Sequence, residues 1–257
     1  MISGKRVIAA MLTALMAVTF TANTAVSVYA TGVTATENAQ TIDAQSTDAQ
    51  ALTPEEQKAQ ELQQVYDMPV ESNGYKDWPQ GPGTYGEAGI VMEVGTGAIL
   101  YAKNIDAHEY PASITKVLTA LVALENGQLT DNVTFSHDSV AFLQRGDSSV
   151  GLKEGNVITL DQAMHAMLLA SANEAAYAIG ESVGVNAGHD YNWFIEQMNS
   201  RCKELGGENS NFANTNGLHD PNHYTCARDM ALIGRELVQT SGIFPDCTDS
   251  QLYNSSQ

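Results

Sequence analysis

The run Val117-Leu-Thr-Ala-Leu-Val-Ala-Leu124 constrains this chain more than any other stretch. It is almost wholly apolar, a turn enters it at Pro111, and Asn126-Gly127 stops it. Such a run predicts a helix buried on most of its circumference. Its first turn is polar: Ser113 and Lys116 stand three residues apart, and residues at that spacing share a helix face. A helix sunk into a core is a rigid mount, which suits catalytic groups. A serine hydroxyl near neutral pH needs a partner to take its proton. A lysine can do so only if its own proton is loosened; burial loosens it, and the positive end of the helix macrodipole pushes the same way. Ser113 is therefore a candidate nucleophile and Lys116 its candidate base. The plainer reading is a helix start with ordinary polar residues.

Composition narrows the classes. The chain has 257 residues, 43% of them hydrophobic, enough to bury a core, and a formal charge of -18. That charge argues against nucleic acid, which needs basic patches, and against anionic lipid head groups. At the N-terminus Lys5-Arg6 precedes an apolar run from Val7 to Val18, too short for a comfortable membrane span, and Val28-Tyr29-Ala30 suits cleavage. Residues 1–30 are expected to be a secretory signal peptide, so the protein is expected to be exported. Cys202, Cys226 and Cys247 are odd in number and form no Cys-x-x-Cys pair, which weakens zinc and thiol-redox readings.

Residues 31–86 are expected to be a disordered spacer holding one short helix and a linker. Thr31 to about Leu52 is too poor in large apolar residues to offset chain entropy. Thr53-Pro-Glu-Glu56 starts an exposed helix to about Tyr66, and Tyr75–Gly86, rich in Pro and Gly, is a linker or irregular crossing. Residues 87–257 hold the folded domain. Ala88–Val94 and Ala98–Ala102 predict a hairpin closed by Gly95-Thr96-Gly97. Asn132–Ser136 is extended. Helices follow over 162–170 (capped by Asp161), 174–183, 189–205 and 225–240. A hairpin alone is marginal, and no later strand is available to pair with it.

Ser171-Ala-Asn173 breaks the helical pattern and places a second hydroxyl and an amide on one edge of the break. Ser171 could relay the proton, and Asn173 could hold the lysine and a substrate carbonyl together. Ser-x-x-Lys alone is weak, since Ser200-Arg-Cys-Lys203 also fits, but that second match lies on an amphipathic, charged segment read as a solvated face. His219 and His223 flank Asp-Pro-Asn, a turn sequence with no third ligand cluster, so no metal is expected. His165 reads as a core or boundary histidine.

Pro111-Ala-Ser-Ile-Thr-Lys116, Gly151-Leu-Lys-Glu-Gly155, Leu169-Ala-Ser-Ala-Asn-Glu-Ala-Ala176 and the stretch Asn216–Ala231 together resemble the serine-type D-alanyl-D-alanine carboxypeptidases, the low-molecular-mass penicillin-binding proteins. The resemblance implies an α+β, β-lactamase-like transpeptidase fold: a helical subdomain and an antiparallel sheet, here lacking its C-terminal strands. It implies that Ser113 attacks the penultimate D-Ala carbonyl of a peptidoglycan stem peptide. Lys116 is then the base, Ser171 passes the proton on, Asn173 orients substrate, and the Ser113 N–H is an oxyanion donor. It implies β-lactams as covalent inhibitors and no cofactor. The family's third motif, Lys-Thr-Gly or Lys-Ser-Gly, is absent. The chain is accordingly expected to be partial, to bind β-lactams poorly as it stands, and to meet a membrane only through an anchor beyond Gln257. Two alternatives are a class A-like β-lactamase, for which Glu196 and Asn199 are one residue short of the expected spacing, and a non-catalytic peptidoglycan-binding module.

Overall fold

The computed structural model describes residues 52–240. The expected signal peptide, the first part of the spacer, Cys247 and the tail from Ser241 lie outside the described residues.

Helix α1 (Pro54–Tyr66) begins in a capping box: Thr53 Oγ1 accepts from the Glu56 N–H, and the Glu56 carboxylate accepts from the Thr53 N–H at 2.8 Å. No residue of α1 is buried. A short 3-10 turn, Glu71–Gly74, leads to strands β1 (Gly89–Met92) and β2 (Ile99–Lys103), an antiparallel hairpin with a register shift between Val91 and Met92. The Glu93 carboxylate ties its turn, accepting from the N–H groups of Gly95 (2.9 Å) and Thr96 and from the Thr96 hydroxyl (2.6 Å). These bonds, the Thr96 hydroxyl first, hold its pKa down to about 2.

The chain between α1 and β1 is irregular, as expected, yet tightly held. Ser72 Oγ accepts from Ala102 N–H, Trp78 Nε1 donates to Leu100 O, and the Tyr101 hydroxyl donates to Pro82 O. Lys103, fully buried, donates from Nζ to the carbonyls of Val65 (2.6 Å), Thr84 (2.6 Å) and Gly86 (2.9 Å). One ammonium thus gathers the end of α1, the crossing segment and β2. Burial lowers its pKa.

The buried apolar run is helix α2 (Thr115–Asn126), entered through a 3-10 turn, Ala112–Ile114. Strand β3 (Asn132–Thr134), helix α3 (His137–Ala141) and strand β4 (Val157–Thr159) follow, with β3 and β4 antiparallel. Then come α4 (Leu160–Leu169), α5 (Asn173–Asn186), α6 (Tyr191–Glu204) and α7 (Ala227–Thr240). Helix α2 runs through the middle and touches α4, α5, α6 and α7. Leu118, Leu121, Met164, Ile179, Met198 and Ile233 are buried around it. Each such side chain contributes about 1.5–3 kcal/mol by leaving water.

The structure departs from expectation in several details. The cap of α4 is Thr159, not Asp161: Thr159 is extended (φ -73, ψ 158) and forms a capping box with Gln162, whereas Asp161 already lies within the first turn. Strand β4 and helix α3 were not foreseen; three residues and five are too few for periodicity to register. Among the described residues no third strand joins the hairpin. Instead α7 backs β1, with Arg235 Nε and Gln239 Nε2 both donating to Val94 O at 2.8 Å.

Candidate active site

Four side chains named from sequence meet at one point. Ser113 lies in the 3-10 turn, with its neighbour Ala112 in the left-handed region at φ +48. Lys116, one turn on, is 2% exposed. Ser171 sits in the break between α4 and α5, also left-handed at φ +56, and Asn173 opens α5. Ser171 Oγ donates to Ser113 Oγ at 2.9 Å. Lys116 Nζ donates to Ser113 Oγ at 3.2 Å, to Asn173 Oδ1 at 2.8 Å and to the main-chain carbonyl of Asn216 at 2.6 Å.

An ammonium has three protons, and here each has an acceptor. The contact to Ser113 is the longest of the three, so the other two fix the amine while its contact to Ser113 stays loose. Burial brings the Lys116 pKa down to about 8, and the charge of Glu174 opposes that fall. Burial thus makes the neutral amine far more accessible near neutral pH than it is for a solvated lysine. A neutral Lys116 can take the Ser113 proton, and the hydroxyl of Ser171 can carry a proton onward from the same oxygen.

Sequence reasoning missed what holds this pair from below. The Asn-rich stretch, read as irregular, is a self-bonded loop. Asn214 Oδ1 accepts from Gly217 N–H at 2.7 Å, and Asn216 Oδ1 accepts from Leu218 N–H at 2.9 Å. Thr119, on α2, donates to Thr215 O at 2.7 Å and pins the loop to the helix. This presents the Asn216 carbonyl to Lys116. Gly217, at φ +86, packs against the Ala112 peptide; a Cβ there would overlap the Ala112 carbonyl and come 3.1 Å from Ser113 N. Main-chain acceptors and close approaches leave no mark on side-chain type, though the glycine itself was a usable signal.

His223 is a support, not a ligand. Its Nδ1 accepts from Ala213 N–H at 3.0 Å, so Nε2 carries the proton and donates to Thr115 Oγ1 at 2.8 Å. Burial lowers its pKa to about 4, keeping it neutral. His219 packs edge-on to Tyr110 at 4.8 Å. Among the described residues no three His, Cys, Asp or Glu side chains converge as metal ligands. His165 is half-buried and bonds Asp161 O. Ser200 and Lys203 are exposed on α6. Asn199 is occupied with Phe212, accepting its N–H and donating to its carbonyl, and the neighbouring Glu196 is exposed.

The sequence is 34% identical to D-alanyl-D-alanine carboxypeptidase DacA of Haemophilus influenzae over 58% of this chain and 38% of that one. It is 33% identical to DacF of Bacillus subtilis over 61% of this chain and 40% of that one. The chain thus spans about two fifths of the length of these relatives. Among solved structures, the carboxypeptidase DacD of Francisella tularensis aligns at TM-score 0.54 and 31% identity, over 60% of this chain and 37% of that one. Penicillin binding protein 5 of Haemophilus influenzae aligns at TM-score 0.56 and 30% identity, over 63% and 47%. These neighbours share the transpeptidase fold inferred from sequence, and the small antiparallel sheets here agree with that fold lacking strands. A profile described as D-alanyl-D-alanine carboxypeptidase matches residues 79–247, and the chain belongs to that family.

Proposed function

We propose that this chain carries the nucleophile wall of an exported serine D,D-peptidase that removes the terminal D-Ala of peptidoglycan stem peptides. One observation carries the reading: the Ser113 hydroxyl stands within hydrogen-bond reach of a buried, weakened lysine and of a second serine. In the first step Lys116 takes the Ser113 proton and Oγ bonds to the carbonyl carbon of the penultimate residue. The tetrahedral oxyanion collapses, the C–N bond breaks, and the proton returns through Ser171 to the leaving D-Ala nitrogen. The ester on Ser113 is then split by water, with the same pair running in reverse. Asn173, fixed by its bond to Lys116, offers its amide N–H to the substrate. A β-lactam presents the same kind of amide carbonyl, so Ser113 is also the atom it acylates. The basic and apolar residues of positions 1–30 support export.

The test is peptide-mapped mass spectrometry of the protein expressed from its gene, after exposure to penicillin. Acylation is expected on the peptide containing Ser113 and is lost in Ser113→Ala. An adduct on any other residue, or none on the gene product, sinks the reading. Rapid turnover of penicillin, rather than a lasting adduct, would favour the β-lactamase alternative.

A further inference from the structure

Glu174 follows Asn173 in the first turn of α5 and is fully buried. Its Oε1 accepts three hydrogen bonds: from the Ser149 hydroxyl at 2.6 Å, from Val150 N–H at 2.8 Å and from Gly151 N–H at 3.2 Å. Its Oε2 is buried and has no hydrogen-bond partner among the described residues. Next to it, Asn173 N–H donates to Ser148 O at 2.9 Å. The segment 148–151 is therefore fastened to the start of α5 by the two residues that follow the Ser171 break.

A loop pin needs no charge. An amide or a hydroxyl would accept the same bonds, while burying a half-satisfied carboxylate costs free energy. The helix N-terminus offsets part of that cost. What a charge adds is a field at the neighbouring amine: Glu174 directly follows Asn173, whose Oδ1 accepts from Lys116 Nζ at 2.8 Å, so its buried carboxylate stands beside that amine and favours its charged form. Several other titratable groups on the elements around α2 have partners of their own: on α5, Glu181 accepts from the Ser136 hydroxyl and Tyr177 stacks on Tyr191. On α6, Arg201 pairs with Glu125, Glu204 and Glu236, and the Tyr191 hydroxyl bonds Thr215. On α7, Asp229 holds Asn209 and Ser210, and Arg228 pairs with Asp106. On α4, His165 bonds Asp161 O; in the loop before α7, His223 is neutral against Thr115.

We propose that Glu174 is a positioning residue of this site, holding segment 148–151 at its rim and supplying the buried negative charge that Lys116 faces. The proposal rests on the reading of Ser113 and Lys116 as nucleophile and base. Too weak a field would leave the amine mostly neutral and unable to hand a proton on; too strong a one would keep it mostly charged and unable to accept one. Glu174 sets that balance without touching substrate, and the same side chain, together with the Asn173 N–H, holds the rim segment in place.

The test uses readouts that need no turnover. The protein, labelled with 13C at lysine Cε, is titrated by NMR, with the Lys116 signal assigned from Lys116→Arg. In Glu174→Gln the Lys116 titration is expected to move to lower pH, because removal of the negative charge destabilises the ammonium. An unmoved or raised midpoint overturns the proposal. Amide exchange reads the rim: Val150 and Gly151 are expected to exchange at least about tenfold faster in Glu174→Ala. Unchanged protection there also overturns it. Ser149 is exposed, so Ser149→Ala serves where Glu174→Ala does not fold. It should speed exchange at Val150, whose N–H donates to Glu174 Oε1, and leave the Lys116 titration where it is. Penicillin labelling of the same samples tests the functional reading separately, so the two can fail independently.

Discussion

Replacing Gly217 by alanine probes the seat of the candidate nucleophile without altering a polar group. The added methyl has two consequences that can be separated. One is conformational: φ is +86, where an L-residue costs about 1–2 kcal/mol. The other is steric, because the Cβ would lie more than about 1 Å too close to the Ala112 carbonyl oxygen and 3.1 Å from Ser113 N. Gly188, between α5 and α6, supplies the control: its φ is +83 and nothing lies within 4 Å of its virtual Cβ. Gly188→Ala should therefore show the conformational cost alone. In Gly217→Ala the Ala112–Ser113 peptide must yield by about 1 Å, and a misplacement of that size costs on the order of 100-fold in rate. The extra stability loss should be about 1–3 kcal/mol, as for other overpacked sites. The assays are the rate of Ser113 labelling by a fluorescent penicillin and the thermal midpoint, with both variants run beside the parent. If Gly217→Ala labels and melts like Gly188→Ala, the close approach of Gly217 to the nucleophile's peptide has no functional weight.

Three further outcomes are expected. Because burial brings Lys116 down to about 8 and only the neutral amine accepts a proton, labelling of Ser113 should climb as pH rises from 6 to 9 and fall away below about 8; a flat profile refutes Lys116 as base. Ser171→Ala removes the hydroxyl that donates to Ser113 while leaving the lysine's three acceptors in place, so acylation should fall by about 10²–10⁴ with little change in melting, read by the same labelling and by calorimetry. Lys103→Met strips the donor from three carbonyls, that of Gly86 buried and those of Val65 and Thr84 part-buried, and should cost about 1–3 kcal/mol for each that water cannot reach, with limited proteolysis between residues 66 and 86 as the check; an intact, equally stable variant would refute the clasp.

The sequence disclosed the site through residue types that act by their side chains. A serine and a lysine on one face of an apolar helix, and a Ser-x-Asn break, are chemical signals, and the structure brings all four residues into one hydrogen-bonded cluster. The hairpin was equally open to reading, because Gly95-Thr96-Gly97 and the flanking β-branched residues are local signals. What stayed hidden depends on distance or on the main chain. The Asn216 carbonyl reaches Lys116 from 100 residues away, and every residue has a carbonyl. Nothing local to Glu174 in the sequence marks its burial or the loop it holds. Lys103, in an edge strand, carries no hint that three carbonyls await it. Thr159 was overlooked as a cap because Asp161, two residues on, is by type the stronger capping residue.

Ala112 and Ser171 hold left-handed backbone conformations without being glycine, at about 1–3 kcal/mol each. They stand beside the candidate nucleophile Ser113 and at the hydroxyl that donates to it. The most comfortable backbone for this chain is therefore not the one that sets the two hydroxyls 2.9 Å apart. Selection for heat resistance alone should find these two positions early, replacing them with glycine and letting the hydroxyl pair drift. Durability and readiness to react are set against each other at two identifiable peptide units, and the packed helices around α2 supply the surplus that keeps both in place.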